Sequence, residues 1–167
     1  LWLAFIGWFL ASMADASRRE MIMRQHLKGV KVSEVMDSEI EAINPTTSVQ
    51  QLVDDIIHQR HRRAAPVADE GHVVGIVTVT DLKNLPQDKW QNTSVRDIMT
   101  REPLYTVKPD DELDKAVKLI TRHDVNQLLV LEKERLVGML NRADLISHLQ
   151  VRQELGIKSL KETDWKS

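Results

Sequence analysis

Cysteine is absent from the 167 residues. That excludes a disulfide framework, a thiol nucleophile and a thiolate-bound zinc, and it suits a reducing compartment, the cytoplasm by default. Glycine is scarce and scattered, with six in all, and neither a G-x-G-x-x-G fingerprint nor a P-loop occurs. No glycine cradle for phosphate is therefore available. None of the six histidines is followed by glutamate, so the chain holds no H-E-x-x-H helix to supply zinc ligands and a general base. No G-x-S-x-G elbow is present either, and a catalytic role has no support. A basic surplus is also missing: the formal net charge is −2, which argues against a nucleic-acid partner, because binding a phosphate backbone needs excess positive charge.

What remains is globular, with 42% hydrophobic and 29% charged residues. The length fits one ordinary domain or two small ones that pack together. The ends stand apart from this average. Leu1 to Ala14 carry no charge and are dense in Leu, Trp, Phe and Ile. The run is shorter than the ~20 apolar residues needed to span a bilayer, and no basic region precedes it as in a signal peptide. It reads as the cut end of a transmembrane helix of a longer protein, with an apolar helix packed on this domain as the alternative. Arg18, Arg19, Arg24, Lys28 and Lys31 follow, and such basic flanks mark the cytoplasmic side of a membrane. At the far end, residues 151–167 read as a helical extension that frays into a tail.

Between the ends lies an internal repeat. Val32 to Met36 (VSEVM) matches Val95 to Met99 (VRDIM), Val74-Gly75-Ile76-Val77 matches Val137-Gly138-Met139-Leu140, and Asp81-Leu82 matches Asp144-Leu145. Each copy then offers the same order of signals. A brief extended stretch (Glu41 to Ile43; Leu104 to Val107) leads to proline and polar capping residues. Thr47 with Gln50 has the form of a capping box, and Asp111 supplies a similar N-cap. Apolar residues at helical spacing follow, Val49, Leu52, Val53 and Ile56 in one copy and Leu113, Ala116, Val117 and Ile120 in the other. Two strands come next, Ala64 to Ala68 with His72 to Thr78, and Gln127 to Glu132 with Arg135 to Asn141, joined by links short enough for hairpins. A second helix starts near Asp81 and near Asp144. The fold class is α/β (α+β), two β-α-β-β-α units. The divisions expected are a membrane-helix end (1–14), a juxtamembrane helix (15–28), unit one (29–88), unit two (89–150) and the tail (151–167).

In order and twice over, V-x-x-[VI]-M, Pro66-Val67 and Gly75-Ile76-Val77-Thr78-x-x-Asp81-Leu82 resemble the CBS-domain pair, or Bateman module, across residues 29–150. The resemblance implies a pseudo-twofold pair of units with two clefts that often bind adenosyl compounds, namely AMP, ADP, ATP or S-adenosylmethionine. It also implies association into a homodimer and service as a regulatory appendage. The opening LWLAFIGWFLASMADASRRE is similar to the end of the last membrane helix in site-2-protease-type intramembrane zinc metalloproteases, which are often followed by a CBS pair. Any zinc would then belong to the part upstream of Leu1.

The Thr78-x-x-Asp81 element is the first site candidate. A carboxylate at a strand end can accept both hydroxyls of a ribose, and the matching aspartate does so in the resembled family; alternatively, Asp81 simply caps a helix. Asp144 keeps the carboxylate, but Asn141 replaces the hydroxyl residue. His61-Arg62-Arg63 is the one dense basic cluster outside the juxtamembrane stretch and can reach phosphates, arginine bidentately; alternatively, it is the solvated end of a helix. Val125-Asn126-Gln127 stands at the equivalent place without charge. The sequence leaves open which aspartate shares a cleft with the arginines, and the inequality of the copies predicts one competent cleft and one degenerate or differently selective one. His58 and His61, three apart, lack converging carboxylates for metal binding, and Met36 and Met99 read as core pegs. The function expected is regulatory sensing of an adenosyl ligand on the cytoplasmic face of the membrane, controlling an attached membrane protein. The alternatives are a ligand-free dimerisation or docking module and the regulatory domain of a channel or transporter.

Overall fold

The computed structural model describes Leu27, residues 29–58 and residues 62–156. The expected membrane-helix end, the expected juxtamembrane helix apart from Leu27, His61 and the tail beyond residue 156 lie outside them. In chain order the elements are a 3-10 turn Val32–Glu34, α1 Val49–His58, β1 Ala64–Asp69, β2 His72–Thr78, α2 Val79–Lys83, a 3-10 turn Gln87–Lys89, α3 Val95–Ile98, β3 Thr106–Val107, α4 Leu113–His123, β4 Gln127–Glu132, β5 Arg135–Asn141 and α5 Arg142–Glu154. No helix among the described residues is long and apolar enough to cross a membrane.

Each copy is built on an antiparallel hairpin. β1 pairs with β2 from Ala64↔Thr78 to Asp69↔His72, and β4 pairs with β5 from Gln127↔Asn141 to Glu132↔Arg135, with a register shift at the matching places, after Val67 and after Val130. The central residues of both turns have positive φ, Glu70 with Gly71 and Lys133 with Glu134, the conformation that suits the twist of a two-residue hairpin. Both β1 and β4 are nearly continuously buried, because alternate residues enter two different cores. Ala65 and Val67 join α1 residues Val49, Leu52 and Val53; Leu128 and Val130 join α4 residues Leu113, Ala116 and Ile120. Ala64, Leu129 and Met139 form a third cluster between the two hairpins, with Val73, Ile76 and Leu136 against it.

The opening segment of each copy crosses to the other. Val32 packs in the core of α4, β4 and β5, and Val95 packs in the core of α1, β1 and β2. The backbone repeats the exchange. Val32 and Ser33 amides donate to the carbonyls of Asp111 and Pro109, and Val95 and Arg96 amides donate to those of Thr47 and Pro45. Asp37 bridges Met139, and Thr100 bridges Ile76. At these crossings Met36 and Met99 meet glycine: a Cβ on Gly138 would stand 2.9 Å from Met36 Sδ and 2.8 Å from Asp37 O, and one on Gly75 would stand 2.7 Å from Met99 Sδ and 2.9 Å from Thr100 O.

Several local expectations shift. The extended stretch of copy one reduces to a single bridge from Ile43 to Val67, whereas that of copy two becomes β3, parallel to β4. The capping box before α1 is Ser48 with Gln51, not Thr47 with Gln50; the Thr47 carbonyl is engaged by Val95, and the helix begins one residue later. Asp111 is not the N-cap of α4, which is Glu112. Its carboxylate instead accepts the Lys108 amide at 2.8 Å and Lys115 Nζ at 2.7 Å. Burial pushes the Asp111 carboxyl up, but the bonds from Lys115 and Lys108 outweigh it and hold it below the usual carboxylate range. The second helices begin at Val79 and Arg142, so Asp81 and Asp144 fall at their third positions.

Two outcomes follow for stability. Gly138→Ala lowers the unfolding free energy by about 1–3 kcal/mol, the usual cost of overpacking, and adding Met36→Ala restores only part of it because the Asp37 carbonyl remains in the way; urea denaturation measures both. A carboxyl lowered on folding contributes stability above its unfolded value near 4 and loses it as pH falls through the folded value. The stability gap between the parent chain and Asp111→Asn therefore narrows as the pH of the denaturation series is lowered from 6 to 3.

Candidate functional site

The open ends of both hairpins, where Ala64 pairs with Thr78 and Gln127 with Asn141, border one cavity. The pairing continues one step outward in the same way in each copy, with the Val79 amide donating to the Arg63 carbonyl and the Arg142 amide to the Asn126 carbonyl. Between these ends lies a cleft of about 680 Å³. Copy one contributes Asp37, Arg62, Arg63 and Thr78; copy two contributes Asn126, Gln127, Asn141, Arg142 and Asp144. Of the residues singled out in the sequence, Arg62, Arg63, Thr78, Asn141 and Asp144 come together here, and the arginines share the cleft with the aspartate of the other copy.

Asp81 does not line this cleft. Its Oδ2 accepts the Thr78 amide and the Thr78 hydroxyl, both at 2.7 Å, and its own amide points back to Thr78 Oγ1 at 3.4 Å. This reciprocal cap closes the first turn of α2. Asp144 is less committed: it is exposed, and its Oδ2 accepts only Asn141 Nδ2, at 2.7 Å. Replacing threonine by asparagine removes the hydroxyl donor, and the carboxylate is left at the cleft wall with acceptor capacity to spare.

The cations differ in the same way. Arg62 Nη2 donates to Asp37 Oδ2 at 3.0 Å and to the Glu39 carbonyl at 2.9 Å. Arg142 Nη2 is held by Asp124 Oδ1 at 3.1 Å and by the Ile120 carbonyl at 3.3 Å. Arg63 is exposed. Arg62 also borders a smaller hollow of about 250 Å³ walled by Ile40, Ala42, Ile43, Ala64 and Ala65. A wider, open depression of about 1190 Å³ runs from Val73 and Val74 to Thr100–Leu104 and contains none of the candidate residues. Among the described residues no cluster of three or more His, Asp or Glu could hold a metal ion.

Asp37 and Arg142 went unnoticed in the sequence. The signal for Asp37 was its place directly after V-x-x-[VI]-M, where copy two has Thr100; the signal for Arg142 was its neighbour Asn141.

Comparison with known proteins agrees with this fold. The model of the CBS domain matches residues 32–88 and 95–151. The chain belongs to the CBS-domain family. CBS domains are non-catalytic regulatory modules, and this chain carries a tandem pair of them. Among its relatives, the candidate zinc metalloprotease Rip3 of Mycobacterium tuberculosis is 26% identical over 156 residues, 90% of this chain and 39% of that protein. A candidate zinc metalloprotease of Synechocystis sp. is 22% identical over 153 residues, 89% of this chain and 40% of that protein. The chain thus spans about two fifths of the length of these relatives. Among solved structures, the CBS domain of the bacterial CNNM/CorC family Mg2+ transporter in complex with ATP superposes with a TM-score of 0.68 at 23% identity, covering 80% of this chain and 97% of that one.

The reciprocal cap gives Asp81 a part in the stability of the CBS pair. Asp81→Ala is expected to lower the stability by about 1 kcal/mol, the typical cost of losing an N-terminal cap, as read by thermal or urea unfolding.

Proposed function

We propose that this CBS pair senses an adenosyl ligand, AMP, ADP, ATP or S-adenosylmethionine, in the cleft between its hairpin ends, and that occupancy regulates an attached membrane protein. The observation that carries the reading is the meeting of Arg62 and Arg63 from copy one with Asp144 from copy two across one cleft of nucleotide size. A carboxylate accepts the paired hydroxyls of a ribose, and guanidinium groups hold phosphate oxygens. Asn141 and Thr78 would add neutral contacts. The ATP held by the CNNM/CorC relative supports the same ligand class.

A ligand lying across this cleft touches both copies, so its binding depends on how they sit against each other. It can shift an equilibrium between two arrangements only by its difference in affinity for them, and a tenfold shift needs about 1.4 kcal/mol. The attached protein in this reading is an intramembrane zinc metalloprotease, supported by the relatives of which the chain covers two fifths. Zinc and the catalytic groups would belong to that upstream part, the module would lie at the cytoplasmic face, and two copies of the chain would pair as a homodimer.

Calorimetric titration of the chain with AMP, ADP, ATP and S-adenosylmethionine tests the reading. Binding of at least one of them, weakened about tenfold or more by Asp144→Ala through loss of a charge-assisted contact and left within about threefold by Asp81→Ala, is the expected result. No binding by any of the four overturns it; binding that survives Asp144→Ala unchanged overturns the site.

A further inference from the structure

Resting on that adenosyl reading, we propose that Asp37 sets the phosphate-chain selectivity of the cleft, favouring a nucleoside monophosphate over the triphosphate. The described residues lining it carry three cations, Arg62, Arg63 and Arg142, and two carboxylates, Asp37 and Asp144. Two of the cations are already engaged, Arg142 with Asp124 and Arg62 with Asp37. The Arg63 guanidinium alone of the three has no hydrogen-bond or ion-pair partner among the described residues. With the ribose on Asp144, the phosphate end lies toward Arg62 and Arg63. One phosphate is met by Arg63 while Arg62 keeps its pair. A longer chain brings more negative charge against the Asp37 carboxylate and must compete with that carboxylate for Arg62. The side chains of Arg62 and Asp37 are 21% and 32% exposed, shielded enough for the repulsion to be felt at physiological salt.

The pair is an addition to the frame rather than part of it. Sixty-three residues onward, Asp37 and Arg62 become Thr100 and Val125, so copy two has neither charge. Yet the backbone bridges at the two positions are equivalent, Asp37 to Met139 and Thr100 to Ile76. The fold therefore accepts a neutral residue here. Asp37→Asn also retains an oxygen for the Glu39 amide, which Asp37 Oδ1 now accepts at 3.0 Å.

The test is calorimetry on the full 167-residue chain with AMP and with ATP in buffer free of divalent cations, repeated for Asp37→Asn and Asp37→Thr. The parent chain is expected to bind AMP about tenfold or more tightly than ATP. Both variants tighten ATP by about tenfold and alter AMP by no more than about threefold, the order expected for removing one charge from a half-shielded cleft. Nucleotide binding with an AMP-to-ATP ratio unchanged in the variants overturns the role of Asp37 and leaves the sensing function standing. A parent chain that binds ATP as tightly as AMP overturns it without reference to any variant. If neither nucleotide binds the parent chain, both the selectivity and the function on which it rests are overturned.

Discussion

The two copies are held together by an exchange of their opening segments, and most of the structure depends on it. Met36 lies on Gly138 and Met99 lies on Gly75, with the carbonyls of Asp37 and Thr100 as close as the sulfurs. The close approach requires glycine at both places, because any side chain would meet backbone as well as a flexible thioether. Each opening segment also completes the core of its neighbour, so Val32 and Val95 are fully buried far from the strands of their own repeats. The cluster of Ala64, Leu129 and Met139 then fills the space between the hairpins.

With the hairpins fixed face to face, their open ends have to form a common mouth. The cleft is therefore a product of the exchange and not of either repeat. One wall comes from the start of β1 and the end of β2, the other from the start of β4 and the start of α5. Copy two has Asn141 where copy one has the Thr78 hydroxyl, and copy one alone carries the Arg62-Arg63 pair, so the two departures from perfect repetition fall on opposite walls of one cavity. Asp37, bridged to Met139 while its carboxylate holds Arg62, connects the exchange to the charge of that cavity.

Features that depend on neighbours in sequence were legible there. The short polar links gave both hairpins their bounds to within a residue, since tight turns are local properties. The helical faces of Val49, Leu52 and Val53 and of Leu113, Ala116 and Ile120 were read for the same reason. Caps were read a residue away at Thr47 or wrongly at Asp111, because the crossing segments claim the carbonyls of both residues and move the helix starts. The site was half legible. Residue types suited to ribose and phosphate stood out, but the meeting of the copy-one arginines with Asp144 depends on the packing of repeats about sixty residues apart. Asp37 escaped notice because its partner Arg62 is distant in sequence and its neighbours form a structural motif.

The exchange of opening segments also bears on whether either half can stand by itself. A lone repeat has its Val-x-x-[VI]-Met segment but no second hairpin to receive it, and its own core lacks the valine that the other copy supplies. Either half taken by itself would find both only in an identical molecule, so the smallest self-sufficient unit is the pair and not the repeat.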